Sequence, residues 1–198
     1  MSAQSTVGIL LAAGTGRRFD PTGTRNKLLQ TLESHQPLVL RSAANMIKHL
    51  NSVVAVVNSE HMASVLQAVG CQTVICPDAA LGMGTSLACA ARYVALNYHE
   101  AHSVLIGLGD MPFINSDTYL TMLHRLHHGT DIAQPSYRDQ PGHPVGFSIR
   151  HLEALQALHG DQGARTLLSR CSVTRIEIDD PGVLRDIDLP SDLPDAAI

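Results

Sequence analysis

Apolar positions in the first half of the chain fall into short continuous runs, separated by longer segments in which they recur every three or four residues. The runs 6–12 (TVGILLA), 52–58 (SVVAVVN), 72–76 (QTVIC) and 103–109 (SVLIGLG) are β-branched and almost free of polar interruption. Strands buried on both faces carry that pattern. Between them, segments 37–50, 60–69 and 85–98 each place apolar side chains on one helical face. Strand, helix, strand in this rhythm requires right-handed crossovers, so the expected fold is α/β with a mostly parallel central sheet.

The second half is less regular. Segment 116–128 reads as a helix started by Asn115 or Ser116, 131–137 and 142–149 as strands, 150–159 and 164–170 as helices, and 173–178 as a last strand before an irregular acidic tail. No internal repeat, low-complexity tract or linker divides the chain, and residues 1–198 are expected to form a single domain.

Composition narrows the function. A net charge of −4 argues against a general nucleic-acid binder, so any phosphate binding is local. No apolar run approaches the roughly 20 residues of a membrane span, and "MSAQSTVGILLAAG" has no basic leader ahead of its apolar run. A cytoplasmic location is expected. Cys71, Cys76, Cys89 and Cys171 lack the paired spacing of a zinc site and read as buried thiols. "HRLHH" (124–128) lacks the glutamate of HExxH, and a polar helical face accounts for it.

In open α/β sheets ligands bind beyond the carboxyl ends of the strands. The segments there are "AGTGRRF", "PDAALGMGTSL" and "GDMP". The first offers glycine backbone and the cations Arg17, Arg18 and, further on, Lys27 to an anion, although it matches neither GxGxxG nor the Walker A pattern. A surface turn would look the same. Asp110, directly after an apolar strand and facing that basic loop, is either a turn-forming aspartate or a Mg²⁺ ligand. In "DIDLPSD", Asp186 and Asp188 lie two apart and share a face in extended chain, so either could join Asp110, or both belong to a solvated tail. In "GMGTSL", Thr85 or Ser86 would cap the following helix; capping leaves Gly82 and Gly84 unexplained.

Taken together and in order, "LLAAGTGRRF…K", "GMGTSL", "GDMPFI", "GHPVGF", "GDQGAR" and "DIDLPSD" resemble the molybdenum cofactor cytidylyltransferases within the MobA-like nucleotidyltransferases. The resemblance spans nearly the whole chain. It implies a Rossmann-like three-layer nucleotidyltransferase fold, with the N-terminal half binding nucleotide and the C-terminal half the acceptor. Against the family pattern LAAGxSxRMGxxK, Arg18 takes the place of the family arginine and Lys27 of the lysine; Gly16 replaces the usual serine, and "DPTGTRN" lengthens the loop.

By this resemblance Arg18, Lys27 and Asp110 are catalytic. Leu11, Ala12, Ala13, Gly14, Thr15, Gly16, Pro77, Gly82, Gly84, Thr85 and Ser86 join them in binding nucleotide. The acceptor falls to His143, Pro144, Asp161, Gly163 and Arg165, and Mg²⁺ to Asp110 with Asp186 or Asp188. On the residues alone "GHPV" is equally a proline-stiffened strand entry, and Asp161 equally a helix cap.

The LAAG form is that of the CTP-using branch. The implied reaction is Mg²⁺-dependent transfer of CMP from CTP to the terminal phosphate of Mo-molybdopterin, whose product goes to a molybdoenzyme or its maturation factor. A nucleotidyltransferase acting on a sugar phosphate or other phosphorylated acceptor is the alternative. A non-catalytic pterin carrier is a third reading, but it would have no need of a metal and triphosphate site.

Overall fold

The computed structural model describes residues 5–32 and 36–193. Residues 194–198, the end of the acidic tail, lie outside the described residues. The strands are β1 (Ser5–Ala12), β2 (Val53–Val57), β3 (Gln72–Ile75), β4 (Ala101–Leu108), β5 (Ile132–Tyr137), β6 (Gln140–Pro141), β7 (Val145–Ser148) and β8 (Thr174–Glu177). The helices are α1 (Leu38–Ile47), α2 (Glu60–Gln67), α3 (Met83–Asn97), α4 (Ser116–His127), α5 (Leu152–Gln156) and α6 (Arg165–Arg170).

The sheet order is β3-β2-β1-β4-β7-β5-β6, with β8 paired to β5. Strands β3, β2, β1 and β4 are parallel, β7 runs against both β4 and β5, and β8 is parallel to β5. The structure thus has the expected mostly parallel α/β sheet, with reversal confined to the hairpin that carries β6 and β7.

Alternation along the strands decides which layer each side chain joins. Leu10, Ala12, Val53, Ala55, Val57 and Leu105 pack with α1, α2 and α4 through Leu38, Met46, Met62, Leu66, Tyr119 and Met122. On the other face Val7, Ile9, Ala13, Val54, Val56, Val104 and Ile106 pack with α3 and α5 through Leu87, Ala90, Val94 and Leu155. Gly8 permits close approach of α1, because a Cβ there would meet Leu50 Cδ1 at 2.9 Å and Met46 Cε at 3.0 Å.

Several elements differ from the sequence pattern. Helix α3 begins at Met83 rather than Thr85, so Gly84, Thr85 and Ser86 lie inside its first turn and Gly82, with φ +129°, is its cap. The expected 150–159 helix shortens to α5, preceded by a 3₁₀ turn at Ile149–His151. The acidic tail holds two more such turns, Pro181–Leu184 and Pro190–Asp192.

Candidate active site

Beyond β1 the chain turns sharply at Gly16, whose φ of +62° is one that L side chains rarely adopt. Its carbonyl accepts the N–H groups of Phe19 (2.9 Å) and Asp20 (3.0 Å). A Cβ at Gly16 would also sit 3.2 Å from Lys27 Cβ, which explains glycine where a serine is usual. Phe19 anchors the turn in the core, while Arg17 and Arg18 stay exposed on its outer edge.

The lengthened stretch that follows is wound around one carboxylate. Asp20 accepts from Thr22 Oγ1 (2.6 Å), Arg25 N (2.7 Å), Thr22 N (3.0 Å) and Thr24 Oγ1 (3.0 Å). The Thr22 hydroxyl and the Arg25 N–H, with the others behind them, hold the Asp20 carboxyl well below the usual carboxylate range. Asn26 then caps the 3₁₀ turn Lys27–Leu29 by accepting from Leu28 N at 2.9 Å. The insertion is therefore ordered from within and delivers Lys27 inward, to 9 % exposure.

Across the crevice β4 ends against β1. Gly109 N donates to Leu11 O at 2.9 Å, and a Cβ there would meet Leu11 O at 3.1 Å. Asp110 follows. The acidic tail is brought alongside by Asp180, which is buried and accepts from Thr118 Oγ1 (2.6 Å), Asn115 N (2.8 Å) and Gly182 N (2.9 Å). Asn115 is thus the cap residue of α4, but the acceptor there is Asp180 rather than its own side chain.

Arg185 stacks over the Phe113 ring at 4.0 Å, and Ile187 N donates to Asp110 O at 3.0 Å. Ile187 is fully buried, so the two-residue spacing turns Asp186 and Asp188 together toward the cavity.

The charges then meet. Lys27 Nζ donates to Asp110 Oδ2 at 2.7 Å and to Asp188 Oδ1 at 3.1 Å, while Arg18 pairs with Asp188 Oδ2 at 2.7 Å. Burial alone would push the Lys27 ammonium down, but the Asp110 and Asp188 carboxylates outweigh it and hold its pKa up. Asp186 is pushed the other way: burial raises its carboxyl, and the charges of Asp188 and Asp110 raise it further. Among the described residues no three carboxylate, histidine or cysteine groups converge as ready-made metal ligands. Between Asp110 and Asp188 stands the Lys27 ammonium.

The opposite wall explains the glycines of "GMGTSL". A Cβ at Gly82 would meet Gly160 C at 2.5 Å and Asp161 N at 2.6 Å, and one at Gly84 would meet Gly160 O at 2.8 Å and His159 O at 2.9 Å. Thr85 Oγ1 accepts from Gly160 N at 3.1 Å. The motif receives the "GDQGAR" loop, and neither Thr85 nor Ser86 caps α3. Asp161 caps nothing either, since α6 begins at Arg165 with Ala164 at its cap and no side-chain cap bond; instead it lines the cavity.

The cavity enclosed by these walls measures about 370 Å³, within the range of small-molecule sites. Leu11, Ala13, Gly14, Thr15, Gly16, Arg18, Lys27, Gly82, Ser86, Asp110, Asp186 and Asp188 meet there, joined by Asp161, expected from sequence on the acceptor side. Ala12 points away into the α1 layer. Pro77, Gly84, Thr85, His143, Pro144, Gly163 and Arg165 do not line it.

His143 N donates to Val183 O at 2.9 Å, and its Nδ1 is shielded from solvent without a partner. Burial pushes its imidazole pKa down, against the smaller opposing effects of the Ile106 carbonyl and Asp110. Sequence reasoning missed Phe19, Leu28, Ala79, Ala80, Met83 and Leu108 as lining residues, and Arg17, read as a cation of the loop, was not among the site residues the resemblance implied. Arg17 had a signal in its adjacency to Arg18, and Ala79, Ala80 and Met83 lie in the unusual stretch after β3.

Comparison with known proteins shows what the chain is similar to. Residues 8–175 match the family model described as the MobA-like NTP transferase domain. The structure of Rv0371c from Mycobacterium tuberculosis H37Rv in complex with manganese is 24% identical, with a TM-score of 0.76 over 96% of each chain. The Rv0371c homolog from Mycobacterium sp. strain JC1 is 26% identical, with a TM-score of 0.72 over 94% of this chain and 92% of the other. Molybdopterin-guanine dinucleotide biosynthesis protein A from Archaeoglobus fulgidus is 19% identical, with a TM-score of 0.66 over 94% of each. No curated protein sequence matches. Among the described residues no helix is long and apolar enough to cross a membrane.

Proposed function

The chain belongs to the MobA-like NTP transferase family, and from that premise we propose that it transfers CMP from CTP to the terminal phosphate of molybdenum-loaded molybdopterin, giving molybdopterin cytosine dinucleotide and pyrophosphate. The observation that carries the reading is the meeting of the β1 loop cations with Asp110 and Asp188 at one end of a nucleotide-sized cavity. The pterin half draws support from the motif order and from the similarity to the Archaeoglobus protein, whose own name is a molybdopterin one.

Three features of this chain bear on the triphosphate, the first on its base and the other two on its phosphates. Ala13 contributes its methyl to the cavity wall, where LAGG relatives carry glycine, and narrows the space left for a base; one methyl is worth about 1–3 kcal/mol of discrimination. The β1 loop offers backbone N–H groups from Gly14 to Gly16 beside Arg17 and Arg18, a setting for phosphate oxygens. Cavity charge is the third. Asp110, Asp161, Asp186 and Asp188 outnumber Arg17, Arg18 and Lys27, so a polyanion can enter only with additional positive charge.

That charge is supplied by a divalent metal, for which we propose Mg²⁺ held by Asp110 and by Asp186 or Asp188. The donor set fits, since all are hard carboxylate oxygens and Mg²⁺ is commonly bound by one or two carboxylates plus substrate phosphates, without a full protein cage. When bound, it neutralises the phosphate oxygens and favours in-line displacement. A manganese complex of the mycobacterial relative is consistent with this use of the fold.

The chain's own contribution is positioning and charge. A terminal phosphate oxygen of the acceptor attacks the α-phosphorus; that P–O bond forms as the bond to the bridging oxygen of pyrophosphate breaks. Lys27 and the two arginines stabilise the charge that builds on the leaving group. No protein nucleophile is needed. Asp161, on the wall opposite the cations, is placed to accept from sugar hydroxyl or base amino groups rather than from phosphate.

The test is pyrophosphate release with each of the four triphosphates, Mg²⁺, and either molybdenum-loaded molybdopterin or sugar 1-phosphates as acceptor. Release with CTP and the pterin alone is the expected result. Release with a sugar phosphate and none with the pterin would replace this reading with that of a nucleotidyltransferase for other phosphorylated acceptors. Tight pterin binding without turnover of any triphosphate would make it a carrier.

A further inference from the structure

Resting on the metal-dependent reading above, we propose that Lys27 is the internal counter-ion of the metal site: its ammonium holds the place of the divalent cation between Asp110 and Asp188, and exchanges with it when nucleotide binds. One ammonium touches one oxygen from each of two carboxylates, at 2.7 and 3.1 Å. A two-carboxylate cation site therefore already exists in this fold, and the cation in it is covalently attached.

Charge counting gives the direction of exchange. Asp110, Asp186 and Asp188 face Arg18 and Lys27 in one cavity, which leaves one negative charge uncompensated. Replacing the Lys27 ammonium by a divalent ion brings three negative charges against three positive ones. The displaced ammonium cannot remain beside the metal. It lies in a cavity whose β1 loop also presents Arg17 and Arg18, so an incoming triphosphate is its next available anion.

Metal alone must expel Lys27 with nowhere to put it and binds weakly. Nucleotide alone must strip Lys27 from two carboxylates and leave them unpaired. Bound together, each removes the other's cost, and by linkage nucleotide tightens metal by the same factor as metal tightens nucleotide. Lys27 is then a positioning residue for the metal before it is a phosphate ligand.

The experiment is titration of the full chain with Mn²⁺ alone, free ion followed by electron paramagnetic resonance, in wild type, Lys27→Met and Lys27→Ala. The neutral variants are expected to bind Mn²⁺ about tenfold tighter or more than wild type, because a unit positive charge leaves the site, and Asp110→Asn added to Lys27→Met should abolish the gain. Equal or weaker binding in folded Lys27→Met overturns the proposal, as does absence of binding in every variant.

A measurement on wild type guards against misfolded variants. The chain has two lysines, Lys27 and Lys48, so ¹⁵N-lysine labelling gives two assignable Nζ signals. Mg²⁺ with CTP should move the Lys27 signal and leave Lys48 in place; a stationary Lys27 signal under saturating ligands overturns the exchange. If instead wild type binds no nucleotide in any condition, the functional reading fails, while the Mn²⁺ comparison still decides the placeholder role.

Discussion

Substituting Gly84 by alanine sets two known effects against each other. Gly84 lies inside the first turn of α3 with ordinary helical dihedrals, so helix propensity alone predicts a gain of about 1 kcal/mol from alanine. The added methyl, however, would sit 2.8 Å from Gly160 O and 2.9 Å from His159 O. Both are backbone atoms, so no side-chain rotation relieves the contact; the 159–161 segment must move away by a few tenths of an ångström or more. Overpacking of this kind costs about 1–3 kcal/mol.

The same movement stretches the 3.1 Å hydrogen bond from Gly160 N to Thr85 Oγ1, a bond of a type worth about 1 kcal/mol. The net is a loss of about 2 kcal/mol, which for a chain of this size lowers Tm by about 4–8 °C. Thermal melts by circular dichroism, with urea titration to confirm ΔΔG, read it directly. A Tm equal to or above that of wild type would mean that helix propensity wins, and would refute the claim that these glycines exist to seat the neighbouring loop. Thr85→Val should cost about 1 kcal/mol in the same assay without any steric term.

Four further outcomes are expected. Asp180→Ala removes three hydrogen bonds to a buried carboxylate and leaves the buried Thr118 hydroxyl unpaired, so it should destabilise by about 3–5 kcal/mol, seen in urea titration; a loss under 1 kcal/mol would contradict the anchoring role. Asp110→Asn should lower kcat for pyrophosphate release by about 10²–10³-fold in protein that is still folded at the assay temperature, and an unchanged rate would remove Asp110 from the metal site. Arg17→Ala should raise KM for the triphosphate about tenfold, an effect that shrinks at about 0.5 M salt; salt-independent kinetics equal to wild type would return Arg17 to ordinary surface charge. For His143 burial lowers the folded-state pKa, so below about pH 6.5 the unfolded chain takes up a proton that the folded chain refuses, and stability falls as pH drops, by at most about 1.4 kcal/mol per unit until the folded pKa is reached. His143→Gln should flatten that slope between pH 6.5 and 5, and parallel pH profiles for the two proteins would show that His143 titrates normally.

Strands β1, β2 and β4 were legible because burial on both faces leaves a chemically uniform run, as in 52–58 around β2; the run 72–76 reads the same, yet β3 lies at the sheet edge and is half-exposed. The antiparallel hairpin was less so. Strands β6 and β7 are short, and the expected 142–149 strand contracts to Val145–Ser148 because Gly142 and His143 pair with Pro135 and Val183 rather than with β4. Asp110 announced itself by following an apolar strand, and Asp186 with Asp188 by their spacing.

Other features had no local signal. That Gly82 and Gly84 serve a loop 75 to 79 residues later, or that Lys27 would lie between two aspartates, depends on which segments fold back on which. Arg17 and Arg18 are chemically identical in sequence. The family pattern picks out Arg18 by position, and the structure separates them physically, by giving Asp188 to Arg18 and, among the described residues, no ion-pair partner to Arg17.

Asp180, Asp186 and Asp188 all lie beyond residue 175, where the family match ends. Synthesis from the N-terminus therefore makes the strands, the β1 loop and Asp110 before the segment that balances Lys27 and Arg18. During that interval the cations face a single carboxylate, and the Asp110 carbonyl waits for the N–H of Ile187. The charge balance of the cavity is thus the last part of it to be encoded, and it is carried by one short tail.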